Sequence, residues 1–195
     1  MKKTFLSVLA FVLLTQLGHA QDVPVFKISP IQSTIKFYVK SSVDLTGVFD
    51  KWEATAIFKS PDVTTCVLDI KISASSVNTG SGFKNDKLKS KDFFDVSQNP
   101  TITFHSTKVT ETSPTTFDIA GDFTIRGVTK PVILQLTIAS GKGTGHAMVT
   151  GSMAFDRKDY GMNANIPFIK IADRVEVNVA LKADQVSGPK VVYKQ

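Results

Sequence analysis

A chain of 195 residues with a single cysteine, Cys66, excludes an internal disulfide. A formal net charge of +6 is too mild for a nucleic-acid binder, which needs a clustered basic stripe interleaved with base-stacking aromatics. The length suits one domain, large enough to bury one core, and no internal repeat or second composition regime divides it.

The chain opens with Met1-Lys2-Lys3, an apolar run from Phe5 to Leu17 broken by Ser7, Thr15 and Gln16, and then Gly18-His19-Ala20. This is the pattern of a secretory signal peptide over residues 1–20, cleaved after Ala20. The run falls short of the roughly 20 residues that span a bilayer, so no integral membrane span is expected. No cysteine follows the cleavage site, which argues against a lipid tether. The mature chain, residues 21–195, is expected to be one soluble domain in the periplasm or secreted. Loss of Lys2 and Lys3 lowers its charge to +4, which favours anionic surfaces only weakly.

From there, apolar and polar residues alternate with a period of two, as half-buried strands require. Ile35, Phe37 and Val39 form one such face; Trp52, Ala54, Ala56 and Phe58 the next; then Leu68, Ile70 and Ile72. Phe117, Ile119, Phe123 and Ile125 follow, then Val132, Leu134, Leu136 and Ile138. Val149, Gly151, Met153 and Phe155 precede a final run of Val175, Val177, Val179 and Leu181. Turn signals separate them at Ser60-Pro61-Asp62, at Thr112-Ser113-Pro114, from Gly127 to Pro131 and from Ser140 to Gly145. Between Asn78 and Val96 the β-branched residues give way to one or two short helices at about 81–96, with Ser81 and Ser90 as candidate N-caps.

Such strands build an all-β sandwich or a closed antiparallel barrel, which periodicity does not separate. Small residues lie among the inward aromatics: Ala54 and Ala56, Gly121 and Gly151. They either leave space for a ligand or complement bulky neighbours and mark bulges.

Catalytic equipment is thin. His105 and His146 are the histidines left after cleavage, and they lie on different strands without a spaced partner, so no metal site is expected. His105 and Ser106 are adjacent on a strand and therefore point to opposite faces. Cys66 lacks the basic surroundings of an activated thiolate and reads as a buried apolar residue. Asp156 and Asp159 flank Arg157 and Lys158 in a turn whose charges pair locally or face water. Lysines 84, 87, 89 and 91 form a solvated face or a basic rim for an anionic headgroup.

Several segments together resemble the YceI-like, polyisoprenoid-binding bacterial periplasmic proteins, over nearly all of Phe26 to Ala183. They are Lys87-Leu88-Lys89-Ser90-Lys91-Asp92-Phe93-Phe94-Asp95-Val96, then Asn99-Pro100-Thr101-Ile102-Thr103-Phe104 with Ser106, and Gly121-Asp122-Phe123-Thr124-Ile125-Arg126-Gly127-Val128-Thr129-Lys130-Pro131-Val132. Asp156-Arg157-Lys158-Asp159-Tyr160-Gly161 resembles the family's Arg-x-Asp-Phe-Gly turn, and Ile171-Ala172-Asp173-Arg174-Val175 precedes the last strand. The resemblance implies a lipocalin-like, extended antiparallel β-barrel of about eight strands. Its apolar tunnel would take an isoprenoid chain, of polyprenyl diphosphate or quinone type, for transport or sequestration. It implies no catalytic residue, metal or cofactor, and it allows transient contact with a membrane surface.

Gln32 departs from the family's usual His, and Asn85 and Lys87 depart from its Arg-Asp-x-His-Leu pattern. If these positions orient a headgroup, the headgroup here differs. Candidate tunnel residues are Phe37, Trp52, Phe58, Phe93, Phe94, Phe104, Phe123, Leu134 and Phe155, each equally placed to be ordinary core. Lys84, Lys87 and Arg157 are the headgroup candidates. The alternative function is an envelope stress-response or protein-interaction module that uses the barrel exterior. A third, an enzyme acting on a bound lipid, has the weakest residue support.

Overall fold

In the computed structural model residues 23–193 are described, so the expected signal peptide lies outside the described residues. The alternation read from the sequence becomes the inside and outside of one curved antiparallel sheet. Its strands are β1 (Val25–Ile28), β2 (Thr34–Ser41), β3 (Leu45–Phe49), β4 (Trp52–Phe58), β5 (Cys66–Ser73) and β6 (Val77–Asn78). The one α-helix among the described residues, α1 (Gly82–Lys89), precedes β7 (Thr101–Ser113), β8 (Thr116–Ile125), β9 (Val128–Ser140), β10 (His146–Asp156) and β11 (Ile171–Ser187).

Eight of these strands, β1, β4, β5, β7, β8, β9, β10 and β11, follow one another round a ring that β1 closes by pairing with both β4 and β11. The structure is therefore a closed barrel and not a sandwich. β7, β3 and the short β1 and β6 are strands beyond those marked by the alternation.

Closure is uneven along the barrel. One edge of the 17-residue β11 bonds to β2 over Ile171–Ala180 and to β1 over Ala183–Ser187. At the changeover the Lys182 N–H donates to Ser33 Oγ (2.9 Å), and its carbonyl accepts from the Ser29 N–H (3.1 Å). Residues 29–33 thus form a corner that sends the chain from β1 to β2. β3 pairs with β2 and β6, and the Asp50–Lys51 link is tied to Ser73 and Ser76. Strands β2 and β3 consequently form a flap at one end of the ring.

Two local features differ from the sequence reading. The β8–β9 turn is only Arg126 and Gly127, both at positive φ (53° and 71°), the pattern of a type I′ hairpin. Val128 to Pro131 already belong to β9. Pro131 is tolerated there because β10 pairs with β9 only from Gln135 onward, so the missing N–H falls on an edge without a partner strand. In the helical segment, Ser81 makes no side-chain cap and Ser90 ends α1 instead of starting a second helix. The Ser90 N–H donates to the carbonyls of Asp86 and Lys87, and its hydroxyl donates to Lys87 O at 2.8 Å.

A register shift between Ser106 and Lys108 puts a bulge in β7 against β8, and the pairing of β7 with β5 ends at His105. The buried Ser106 hydroxyl fills the gap and accepts the Leu68 N–H at 2.8 Å. His105 faces out, where its Nδ1 lies 2.6 Å from Asp69 Oδ1.

The inward glycines are seats for side chains. A Cβ on Gly47 would strike the ring of Phe37, its direct cross-strand partner. One on Gly151 would strike Leu136, and one on Gly121 would lie 2.6 Å from both His105 O and the ring of Phe104. Of the two readings left open by the small residues, complementing bulky neighbours is the one these glycines follow.

Gly121→Ala is therefore expected to cost about 1–3 kcal/mol by overpacking, seen as a lower urea midpoint with unchanged slope. Gly82→Ala, in the first turn of α1 with nothing within 4 Å, is expected to be neutral or to stabilise by up to about 1 kcal/mol.

Candidate functional site

At the flap end the inward side chains do not meet, and a cavity of about 270 Å³ remains. It collects strand ends from one end of the barrel. Ile72 comes from the end of β5, Ile102 from the start of β7, Phe123 and Ile125 from the end of β8, and Phe155 from the end of β10. Ile171, Val175 and Val177 come from the first half of β11. The flap adds Ile35, Phe37, Val39, Leu45 and Phe49, and the helical segment adds Phe83, Leu88, Phe93 and Phe94. The polar contributors are Ser41, Lys84, Lys87 and Arg157.

Aromatic chains frame it on two sides. Phe37, Phe49 and Phe94 stack in series, with centroids 5.7 and 5.8 Å apart. Opposite, Phe123, Phe155 and Tyr160 form a triangle with centroids 5.2–5.6 Å apart, two of its contacts edge-on. Burial, with the Asp159 charge adding to it, pushes the Tyr160 hydroxyl up to about 12, so this wall stays uncharged.

Among the expected tunnel residues, Phe37, Phe93, Phe94, Phe123 and Phe155 share this cavity. Phe58, Phe104, Leu134 and Trp52 lie outside its lining. Phe58 stacks on Phe26 of β1 at 5.5 Å, Phe104 covers Gly121, and buried Leu134 sits across from Ile119. Trp52 is half-buried and packs on the core beside Ile72. The first three occupy the half of the barrel that β1 closes tightly.

The charged candidates differ in how free they are. Arg157 is only 4% exposed and is committed internally: Nε donates to Ala172 O (3.2 Å), one terminal nitrogen donates to Met162 O and Ala164 O, and the other to Asp173 Oδ1 (3.0 Å). Its role in the structure is to fasten the 157–173 segment over the cavity. Lys87 Nζ lies 2.6 Å from Asp92, a contact that holds the Asp92 carboxyl below the usual carboxylate range. Lys84 is exposed and has no ion-pair partner among the described residues.

Of the positions that break the family pattern, only Lys87 lines the cavity. Gln32 Oε1 accepts from Lys182 Nζ at 2.7 Å beside the β1–β2 corner. Asn85 Oδ1 accepts from the Thr79 N–H and hydroxyl at 2.8 and 2.7 Å, which ties α1 to the preceding turn.

Sequence reasoning missed Val43, Phe83, Met162, Ile166 and Ile169. Four of these lie in connections where no alternation flags them. Phe83 had a signal, an aromatic in a short helix whose positions three and four residues on are Asp86 and Lys87. As for reactive groups, Cys66 is half-buried, and that burial pushes its thiol up to about 12, which keeps it protonated. Among the described residues, no three His, Cys, Asp or Glu side chains gather as a metal-binding group.

The YceI-like domain matches residues 26–183. A UPF0312 protein of Pseudomonas savastanoi pv. phaseolicola is 30% identical over 131 residues, 65% of this chain and 68% of its own. Among solved structures, Burkholderia cenocepacia BcnA superposes with a TM-score of 0.72 at 21% identity, over 80% of this chain and 99% of its own. A polyisoprenoid binding domain from Saccharophagus degradans, implicated in plant cell wall breakdown, gives 0.62 at 17% identity over 82% and 98%.

Lys158 and Arg157 hold the Asp173 carboxyl below its ordinary value, Lys158 contributing most. The pairing thus stabilises the fold above the ordinary carboxylate pKa of about 4 and is lost as pH falls through the lower folded value. Asp173→Asn is expected to lower Tm at neutral pH, with the difference shrinking below roughly pH 4. Arg157→Lys, which cannot reach all these acceptors, is expected to cost about 2–4 kcal/mol by urea unfolding.

Proposed function

The chain belongs to the YceI-like family, and on that footing we propose that it binds the apolar chain of an isoprenoid lipid in the flap-end cavity and carries or sequesters it without chemical change. The observation that carries this reading is the cavity itself: walled mainly by Phe, Leu, Ile and Val side chains, its charged groups being Lys84, Lys87 and the buried, internally bonded Arg157. The polyisoprenoid binding domain of Saccharophagus degradans, which shares the fold, supports the choice of ligand.

At about 270 Å³ the cavity lies just under the roughly 300–1,000 Å³ of small-molecule sites. It suits the end or one stretch of a long chain, with the remainder leaving through the mouth. Each buried CH₂ contributes about 0.8 kcal/mol, so a five-carbon isoprene unit contributes on the order of 4 kcal/mol before the costs of ordering. A headgroup at the mouth would meet Lys84 first, because Lys87 is held by Asp92 and the Arg157 guanidinium by backbone carbonyls. Export by residues 1–20, to where such lipids are met between membranes, belongs to the same reading. Within the described residues no helix is long and apolar enough to cross a membrane.

Native mass spectrometry of protein purified from its own host is expected to show a bound apolar species whose homologues differ by one isoprene unit. A uniformly ligand-free mass, with no uptake of added polyprenol, would overturn the proposal. Val175→Phe places a ring in the cavity from the middle of its β11 wall, between Phe155 and Val39. It is expected to weaken polyprenol binding by roughly ten-fold or more while circular dichroism still reports a β-barrel.

A further inference from the structure

The opening of the cavity is rimmed by apolar side chains that the fold leaves in water. Val43, in the β2–β3 turn, is 65% exposed; Phe83, on α1, is 84%; Phe168 is fully exposed; and Ile169 is 39%. Val43, Phe83 and Ile169 also line the cavity, so three separate connections bring their tips to one mouth. Two of them are stitched together: the Ser42 N–H donates to Lys170 O at 2.9 Å, and the Lys170 N–H donates to Ser42 Oγ at 3.0 Å.

Phe168 is the most telling of the four. The Ile169 N–H donates to Ile166 O at 3.0 Å across a turn whose two central residues are Pro167 and Phe168. Phe168 has a φ of +63°, at the position of a type II turn where glycine is the usual occupant. A bulky residue in left-handed backbone is uncommon. Here it presents a whole aromatic ring to solvent at the apex of a turn, and folding alone gains nothing from either feature.

We infer that this rim docks on the surface of an anionic lipid bilayer. Isolated apolar tips from several loops, flanked by cations, fit the boundary between headgroups and acyl chains, where the tips insert and lysines meet the anionic lipids. Lys84 adjoins Phe83, Lys170 adjoins Ile169, and Lys40 lies on the neighbouring strand end; among the described residues none forms a close ion pair, and Lys40 acts at longer range on the Asp44 carboxyl. The acidic groups on the same segments are Asp86 and Asp44, and the Asp44 carboxylate already accepts from the Tyr38 hydroxyl and the Ser41 N–H. The inference rests on the reading of the cavity as a lipid site, since docking there turns its mouth toward the lipid. The interaction itself requires only the rim.

Sedimentation with vesicles of phosphatidylcholine, alone or mixed with phosphatidylglycerol in roughly equal parts, tests it. The full mature chain is expected to bind the anionic vesicles and to lose binding at high salt. Phe83→Ser with Phe168→Ser is expected to weaken this binding by roughly ten-fold or more with the unfolding midpoint preserved, and Phe168→Ser alone, outside the cavity lining, is expected to weaken it while leaving cavity uptake of an apolar dye unchanged. Lys84→Gln with Lys170→Gln is expected to remove most of the preference for phosphatidylglycerol. Val175→Phe, which fills the cavity, is expected to bind vesicles like the parent chain, so failure of lipid uptake and failure of docking are read separately. No binding to anionic vesicles, or binding that the double serine variant retains, would overturn the inference. So would a stable dimer of the parent chain that the serine variant dissociates, which would make the rim an interface between copies.

Discussion

The edge of β11 is divided between two partners, and the cavity follows from that division. Where β11 bonds to β1, the ring closes at eight strands, and side chains such as Leu68, Leu134 and Leu181 fill it. Where it bonds to β2, the chain leaves the ring and returns through β3 as a flap. A small barrel of this strand number can pack its interior or hold one ligand. Here one end does the first and the other leaves room for the second. The corner at residues 29–33 makes the changeover possible, because the Ser33 hydroxyl and the Ser29 N–H satisfy the Lys182 N–H and carbonyl, which neither strand does.

The flap end depends on a second fastening. The segment between Arg157 and Asp173 has little regular structure, yet it carries Met162, Ile166 and Ile169 to the cavity. A buried arginine with three backbone carbonyls and a carboxylate as acceptors is a strong local anchor, since each bond to a charged group exceeds a neutral one. The same commitment removes Arg157 from direct service to a ligand and leaves that to lysines near the mouth. A family motif that looks like a binding element from its charges is here first a structural clasp.

The inward faces of most strands were legible from alternation. The clearest gap was β7, where a bulge at Ser106 and a polar stretch through Lys108 and Glu111 interrupt the pattern. Family resemblance pointed to the barrel, which periodicity could not tell from a sandwich. The candidate site was legible in part: Phe37, Phe93, Phe94, Phe123 and Phe155 converge on it, whereas Phe58, Phe104 and Leu134 are packed in the filled half. Phe37, Phe58, Phe123, Leu134 and Phe155 all fall on alternating faces in the sequence, so nothing local distinguishes those at the cavity from those packed away from it. Gly121 and Gly151 were equally ambiguous, since a glycine opposite an aromatic ring and a glycine beside a void are the same letter.

Which residues point into the barrel was determined by the sequence itself, because successive side chains on a strand must take opposite faces. The order of turns and the uncharged character of the interior follow in the same way. Which inward residues touch each other, and which are left around an empty space, was decided only by tertiary structure. That outcome rests on pairings between distant segments, β1 with β11 above all, and on the point where β11 changes partners. The exposed rim was decided there too: Val43, Phe83 and Ile169 are far apart in the chain, and only the fold places them round a single opening.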